Sequence, residues 1–194
     1  GFEDIFLRDL ETDKTTRVSV VTGGEEANGS SYVPDISADG RFVVYYSLAS
    51  NLVESDLNIV QDVFFYDVLA GTTKRVSLTT GGEEGNGASF GPVVSGDGTF
   101  IAFTSDASNL VSGDTNGVWD IFLYEMEFPE MDIQGNGQSI LSGDATPATD
   151  DGTDFGDVSL TGGTAVGFFT IENTGDADLY LIGSPLIAIS GTHA

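Results

Sequence analysis

The chain has 194 residues, 31 acidic against 6 basic, for a formal net charge of −25, and no cysteine. A surface of that sign repels nucleic-acid phosphates and an anionic membrane face, and without a thiol there is neither a disulfide nor thiol catalysis. Such acidity suits solubility, a salty medium or divalent cations. The 26 glycines beside 13 Phe and 6 Tyr predict an all-β chain of short strands joined by tight turns. No run approaches membrane-span length, so no membrane insertion is expected. No basic-then-apolar leader opens the chain at Gly1-Phe2-Glu3.

In chain order, Asp4-Ile5-Phe6 is the first strand-like run, and it recurs as Asp62-Val63-Phe64 and Asp120-Ile121-Phe122, each 58 residues on. Arg17-Val18-Ser19 recurs as Arg75-Val76-Ser77, and Gly23-Gly24-Glu25-Glu26 as Gly81-Gly82-Glu83-Glu84. Val33 to Ser37 predicts a short strand, closed by the turn signal Ala38-Asp39-Gly40. Phe42-Val43-Val44-Tyr45-Tyr46 follows, a nearly continuous apolar run that suits burial on both faces. Its copy, Phe100 to Thr104, carries the same expectation, with Tyr45, Phe64, Phe103 and Phe122 as core. A polar loop covers Ala49 to Gln61; then come a third strand, Val63 to Tyr66, and a fourth, Lys74 to Leu78.

Four antiparallel strands per repeat predict a propeller blade, although a sandwich of β-meanders uses the same strands. Pro34, Ser37, Asp39-Gly40, the aromatic strand, Ala49-Ser50-Asn51-Leu52-Val53 and Asp114-Thr115-Asn116-Gly117 with Asp120-Ile121-Phe122 together resemble the TolB-like propeller repeat of large secreted bacterial proteins. The resemblance covers residues 1–127 and implies a propeller fold but no single activity. It gives about two blades, starting in a third strand at Asp4 and holding one complete blade from about Tyr32 to Leu78. Too few to close a ring, they are expected to belong to a longer protein or to pair open edges with other copies.

The repeat breaks at Phe128-Pro129-Glu130. The segment to Gly137 reads as a linker running into a new first strand, Met131-Asp132-Ile133. Further strands are expected at Ala165–Ile171, Leu179–Ile182 and Leu186–Ile189. Asp154-Phe155-Gly156, Phe169 to Gly175 and Ala177-Asp178-Leu179 resemble the Hydin-type immunoglobulin-like domain of choice-of-anchor surface proteins. That resemblance implies an incomplete immunoglobulin-like β-sandwich over residues 128–194.

Few residues invite chemistry. His193, the single histidine in a chain without Cys, reads as a solvated tail residue rather than part of a catalytic dyad. Glu25-Glu26 and Glu83-Glu84 are paired carboxylates of the glycosidase type, but duplication in each repeat favours solvated loops. Ser95-Gly96-Asp97-Gly98 resembles the Asp-box turn of sialidases; there, as at Asp39-Gly40, the Asp is expected to cap its own turn. The candidate metal site is Asp114, Asn116 and Asp120, oxygen residues around Gly117 in the manner of a calcium loop. Its earlier copy, Asp56, Asn58 and Asp62, lacks the Gly and is expected to bind less well. The competing reading is Asx-turns that tie down the next strand. Asp144, Asp150, Asp151 and Asp154 form a second acidic cluster.

The expected function is a non-enzymatic structural, adhesive or binding module of a secreted or cell-surface bacterial protein. Its partners would be protein or glycan surfaces, or further copies, and its only ion Ca²⁺. The alternative is a propeller accessory region of a secreted hydrolase, since TolB-like propellers gate peptidases.

Overall fold

The computed structural model describes residues 1–126, 131–140, 148–150, 153–154 and 168–174. The chain divides into two compact units, Gly1–Met126 and Glu127–Ala194. Among the described residues every regular element is a strand, and every sheet is antiparallel.

The first unit holds three sheets built on one pattern. The first contains β1 (Phe6–Asp9) and β2 (Lys14–Arg17). The second is a four-stranded meander of β3 (Ser31–Ile36), β4 (Phe42–Ser47), β5 (Asp62–Asp67) and β6 (Thr72–Arg75). The third repeats its first three strands as β7 (Ser89–Val94), β8 (Phe100–Ser105) and β9 (Asp120–Glu125). The registers coincide under the 58-residue shift. Phe6 faces Arg17 as Phe64 faces Arg75, and Tyr45 faces Phe64 as Phe103 faces Phe122. The first strand is bulged in both copies, between Tyr32 and Asp35 and between Phe90 and Val93.

Short polar motifs fix the turns. Asp39 Oδ1 accepts from Ser37 Oγ at 2.6 Å and from the Arg41 amide at 3.0 Å; Asp97 repeats both bonds with Ser95 and Thr99. Gly40 and Gly98 take φ of 75° and 76° in these turns, where a side chain would be strained. Asn51 and Asn109 each accept from a backbone amide ahead of the first strand, at Asn28 and Asn86, and donate to the carbonyl of Glu26 or Glu84. The Ala-Ser-Asn-Leu-Val motif is therefore a clasp between the loop after the second strand and the entry to the first. Ala49, Leu52, Ala107 and Leu110 are buried beneath it.

The core lies between sheets. Ile5, Val18, Val43, Tyr45 and Phe64 form one cluster where the first sheet meets the second. Tyr45 stacks beside Phe64, and its hydroxyl donates to the Val18 carbonyl. On the other face of the second sheet, β7 packs against β3, β4 and β5. The β4 strand is buried on both faces up to Tyr45, as its apolar run predicts.

Two burial expectations need correction. In β8, Ile101 and Phe103 are buried but Phe100 is exposed, and Phe122 in β9 is only half-buried. Residues 100, 121 and 123 point away from the second sheet, and nothing among the described residues covers that face. The fourth strand is also shorter than expected. It ends at Arg75 because Ser77 turns its hydroxyl to Asp62, while Leu78 makes an isolated bridge with Glu84.

In the second unit the described strands are β10 (Met131–Gly135), β11 (Gln138–Ser139) and β12 (Phe169–Asn173), in the order β11-β10-β12. Asn136 and Gly137, expected to lie at a linker, are instead the two-residue turn of a hairpin. Their φ values of 52° and 76° match the twist of paired strands. The strands expected at 179–182 and 186–189, the motif residues 155–156 and 177–179, Asp144, Asp151 and His193 lie outside the described residues.

Candidate functional site

The second repeat brings four charged side chains together. Asp62 opens β5, Arg75 ends β6, Asp56 stands in the loop before β5, and Glu84 lies in the loop after β6. The Arg75 guanidinium is 2.6 Å from Glu84 Oε1, 3.3 Å from Asp62 Oδ2 and 3.6 Å from Asp56 Oδ1. One oxygen from each carboxylate lies within 4.8 Å of the others. Arg75 also donates to the Ser55 carbonyl at 3.2 Å, and Glu84 accepts from the Leu57 amide at 2.9 Å. Ser77 Oγ donates to Asp62 Oδ1 and accepts from the Val63 amide. Loop, strand end and following loop are thereby tied to one guanidinium.

Electrostatics follow from burial. Three carboxylates share a single guanidinium, leaving two excess negative charges where water hardly reaches. Desolvation, then the Asp62 charge, pushes the Asp56 carboxyl up to about 6 despite Arg75. Desolvation also raises Asp62, against the bonds from Ser77 and Asn58. Glu84 is desolvated too, but the Leu57 amide and Arg75 hold it below its ordinary value.

The first repeat builds the same arrangement with Asp4, Arg17 and Glu26. Arg17 is 2.6 Å from Glu26 and 3.6 Å from Asp4, and Ser19 Oγ donates to Asp4 at 2.8 Å. Among the described residues, Asp4 and Glu26 are the carboxylates that meet Arg17.

The six candidate metal ligands thus fall into two different settings. Asp56 and Asp62 converge on Arg75. Asn58 does not turn an oxygen toward them: its amide nitrogen donates to Asp62 at 3.0 Å and to the Gly85 carbonyl, while its Oδ1 accepts from the Val60 amide. In the third repeat Asn116 repeats the arrangement, donating to Asp120 at 2.8 Å and accepting from Val118 at 3.0 Å. Asp114 accepts weakly from the Asn116 amide, at 3.4 Å. Among the described residues no guanidinium approaches Asp114 or Asp120. The backbone is alike in both loops: Ile59 has φ 58° where Gly117 has 65°.

Sequence reasoning set Glu84 aside as a solvated loop residue and gave Arg75 no role. The signal was present. Asp4, Arg17 and Glu26 recur together at the same spacing as Asp62, Arg75 and Glu84. Charged residues of both signs kept in step through a repeat mark a contact.

No family model matches the chain. No curated protein matches it either. Among solved structures, similarity extends to a putative TolB from Agrobacterium tumefaciens, at 20% identity and a TM-score of 0.39, over 63% of this chain and 37% of that one. The tricorn protease matches at 23% identity and a TM-score of 0.38, over 61% of this chain and 10% of that one. TolB from Acinetobacter baumannii matches at 17% identity and a TM-score of 0.23, over 68% and 42%. The chain spans less than half the length of each.

Proposed function

We propose that the chain is a non-enzymatic structural or binding module of a secreted or cell-surface protein, its first 126 residues being propeller blades. The observation that carries this reading is where the repeated polar side chains spend their bonds. Asp39 and Asp97, Asn51 and Asn109, and Arg17 and Arg75 recur in the same structural contacts. A repeat whose polar residues are committed to holding loops offers surfaces rather than chemistry. The partners that suit it are protein or glycan surfaces. For residues 128–194 the proposal is an immunoglobulin-like sandwich, supported by an antiparallel three-stranded sheet. The test pairs a glycan and surface-protein binding array with a panel of ester, glycoside and peptide substrates. Saturable binding without turnover is expected; turnover lost in Glu83→Gln or Glu84→Gln would overturn the reading.

Calcium belongs to the same proposal, at the third loop rather than the second. Asp114 and Asp120 face no guanidinium, whereas Arg75 already occupies the space among Asp56, Asp62 and Glu84. An ion there would take the two carboxylates and loop carbonyls, with Asn116 turning its amide away from Asp120.

A further inference from the structure

The three copies of the strand led by Asp4, Asp62 and Asp120 differ in what lies beside them. β1 is paired by β2, and β5 by β6, each in the same register. Past its end, the partner strand continues as Arg-Val-Ser and repeats four bonds. The Arg approaches the Asp, the Ser hydroxyl donates to the Asp, the next strand amide donates to that hydroxyl, and the Val amide donates to a strand carbonyl. In the second sheet the last two are Val63 N to Ser77 Oγ at 3.2 Å and Val76 N to Val63 O at 2.8 Å. In the first they are Ile5 N to Ser19 Oγ at 3.0 Å and Val18 N to Ile5 O at 2.9 Å.

β9 has only β8 beside it among the described residues. Asp120 is met only by Asn116 there. The residues 58 positions beyond Arg75 and Ser77 are Ile133 and Gly135, and β10, which carries them, is paired by β11 and β12. All six basic residues of the chain lie at or before Arg75. None of residues 76–194 carries a guanidinium that could meet Asp120.

We infer that the edge of β9 is a docking site for an extended strand of another polypeptide, of the pattern Thr-x-Arg-Val-Ser. It runs antiparallel to β9 with its Arg opposite Phe122, the Arg and Ser meet Asp120, and the Ser accepts from the Ile121 amide. This inference rests on the repeated sheet, not on the scaffold reading. Charge favours it, since a basic strand approaches two carboxylates on a chain of net charge −25. So does the geometry of an exposed edge, whose backbone groups are a template for one more strand.

The test titrates the whole chain, in EDTA so that no divalent ion competes for Asp120. The probe is a capped peptide, Gly-Thr-Thr-Lys-Arg-Val-Ser-Leu-Thr, the sequence of residues 71–79. Calorimetry reads affinity and hydrogen exchange reads location. One peptide per chain is expected, with new protection of the Ile121 and Leu123 amides, which face the open edge. Replacing the peptide's Arg with Gln should weaken binding about tenfold or more, as for hydrogen bonds to a charged group, and Ser with Ala should weaken it less. In the protein, Asp120→Asn should weaken the Arg peptide several-fold more than the Gln peptide, which keeps only the Ser contact. The peptide analogues leave the protein intact, so the outcome does not depend on that variant folding. No binding at millimolar peptide, equal affinity of the Arg and Gln peptides, or protection at 62–67 in place of β9 would each overturn the inference.

Discussion

Replacing Arg75 with Met keeps the aliphatic length of the side chain and removes the charge that Asp56, Asp62 and Glu84 share. The Asp62 and Asp56 side chains are 1% and 3% exposed, so water does not take over from the guanidinium. Removing one partner from a buried ion cluster costs about 3–5 kcal/mol, because the others are left desolvated and uncompensated. For a unit of this size that is roughly 10–20 °C in Tm. The repeat supplies a control. Arg17 makes the same contacts with its side chain 30% exposed, where solvent screens the pair, so Arg17→Met should lower Tm far less. Circular dichroism melts of both variants at pH 7.5 make the comparison. The pH dependence adds a second constraint. Asp56 is raised to about 6 in the folded chain, above its unfolded value near 3.8. The native state therefore binds more protons between those values, and the stability this group contributes falls as pH rises through that window. Without Arg75 the carboxylates are harder still to ionise, so the deficit of Arg75→Met should be largest above pH 7 and shrink near pH 5. Equal losses in Arg75→Met and Arg17→Met, or a deficit unchanged between pH 5 and 7.5, would refute the account of a buried, charge-limited cluster.

Asp56→Asn should raise Tm at pH 7.5 and leave it unchanged near pH 4, where Asp56 is already protonated; a melt series across pH reads this. Ile59→Gly should stabilise by roughly 0.5–1 kcal/mol in urea unfolding, since a β-branched residue at φ 58° costs about 1–2 kcal/mol and glycine's added chain entropy returns only part of it. Ile59 is 88% exposed, so little packing is lost. The reverse change, Gly117→Ile, should destabilise. Gly87→Ala should cost about 1–3 kcal/mol by the same assay, because the new methyl would sit 2.4 Å from Asp106 Oδ1 and 2.8 Å from the Ala107 amide nitrogen. In calcium titrations, any rise in Tm beyond that given by magnesium should disappear in Asp114→Ala and persist in Asp56→Asn.

The strands were legible because two signals agreed. Phe42 to Tyr46 is too apolar for a one-sided strand, and β4 is buried on both sides. Asp39-Gly40 and Asp97-Gly98 mark turns by a mechanism that operates within four residues, so no knowledge of the rest of the chain is needed to read them. Boundaries were less legible where a side chain outbids the ladder. Nothing in Lys74 to Leu78 shows that Ser77 will leave the strand for Asp62. Asn136-Gly137 is a strong hairpin signal, but the proline and acidic residues before it drew the segment toward a linker.

The site was legible only in part, for a physical reason. Calcium loops and Asx-turns use the same residues at the same spacing, because both need short oxygen side chains close to a bent backbone. What separates them is the cation available, and that is a question about a different strand. In the second repeat the cation is Arg75, 13 residues beyond Asp62 in the chain and across one sheet edge. In the third repeat the loop is nearly the same, and among the described residues that strand has no counterpart. The apolar residues nearby tell the same story. Ile121 and Leu123 are 80% and 68% exposed, while the matching Val63 and Phe65 are at 0% and 7%. Hydrophobic side chains at these positions gain about 25 cal/mol per Å² only when something lies against them. The third sheet thus carries the side chains of a covered sheet and the carboxylate of a paired strand, and both deficits fall at β9. The unmatched charge at Asp120 calls for a strand beside β9, and the exposed Ile121 and Leu123 call for a further sheet over their face, as β7 lies over the matching face of the second sheet; neither a solvated loop nor an ion at Asp114 supplies either.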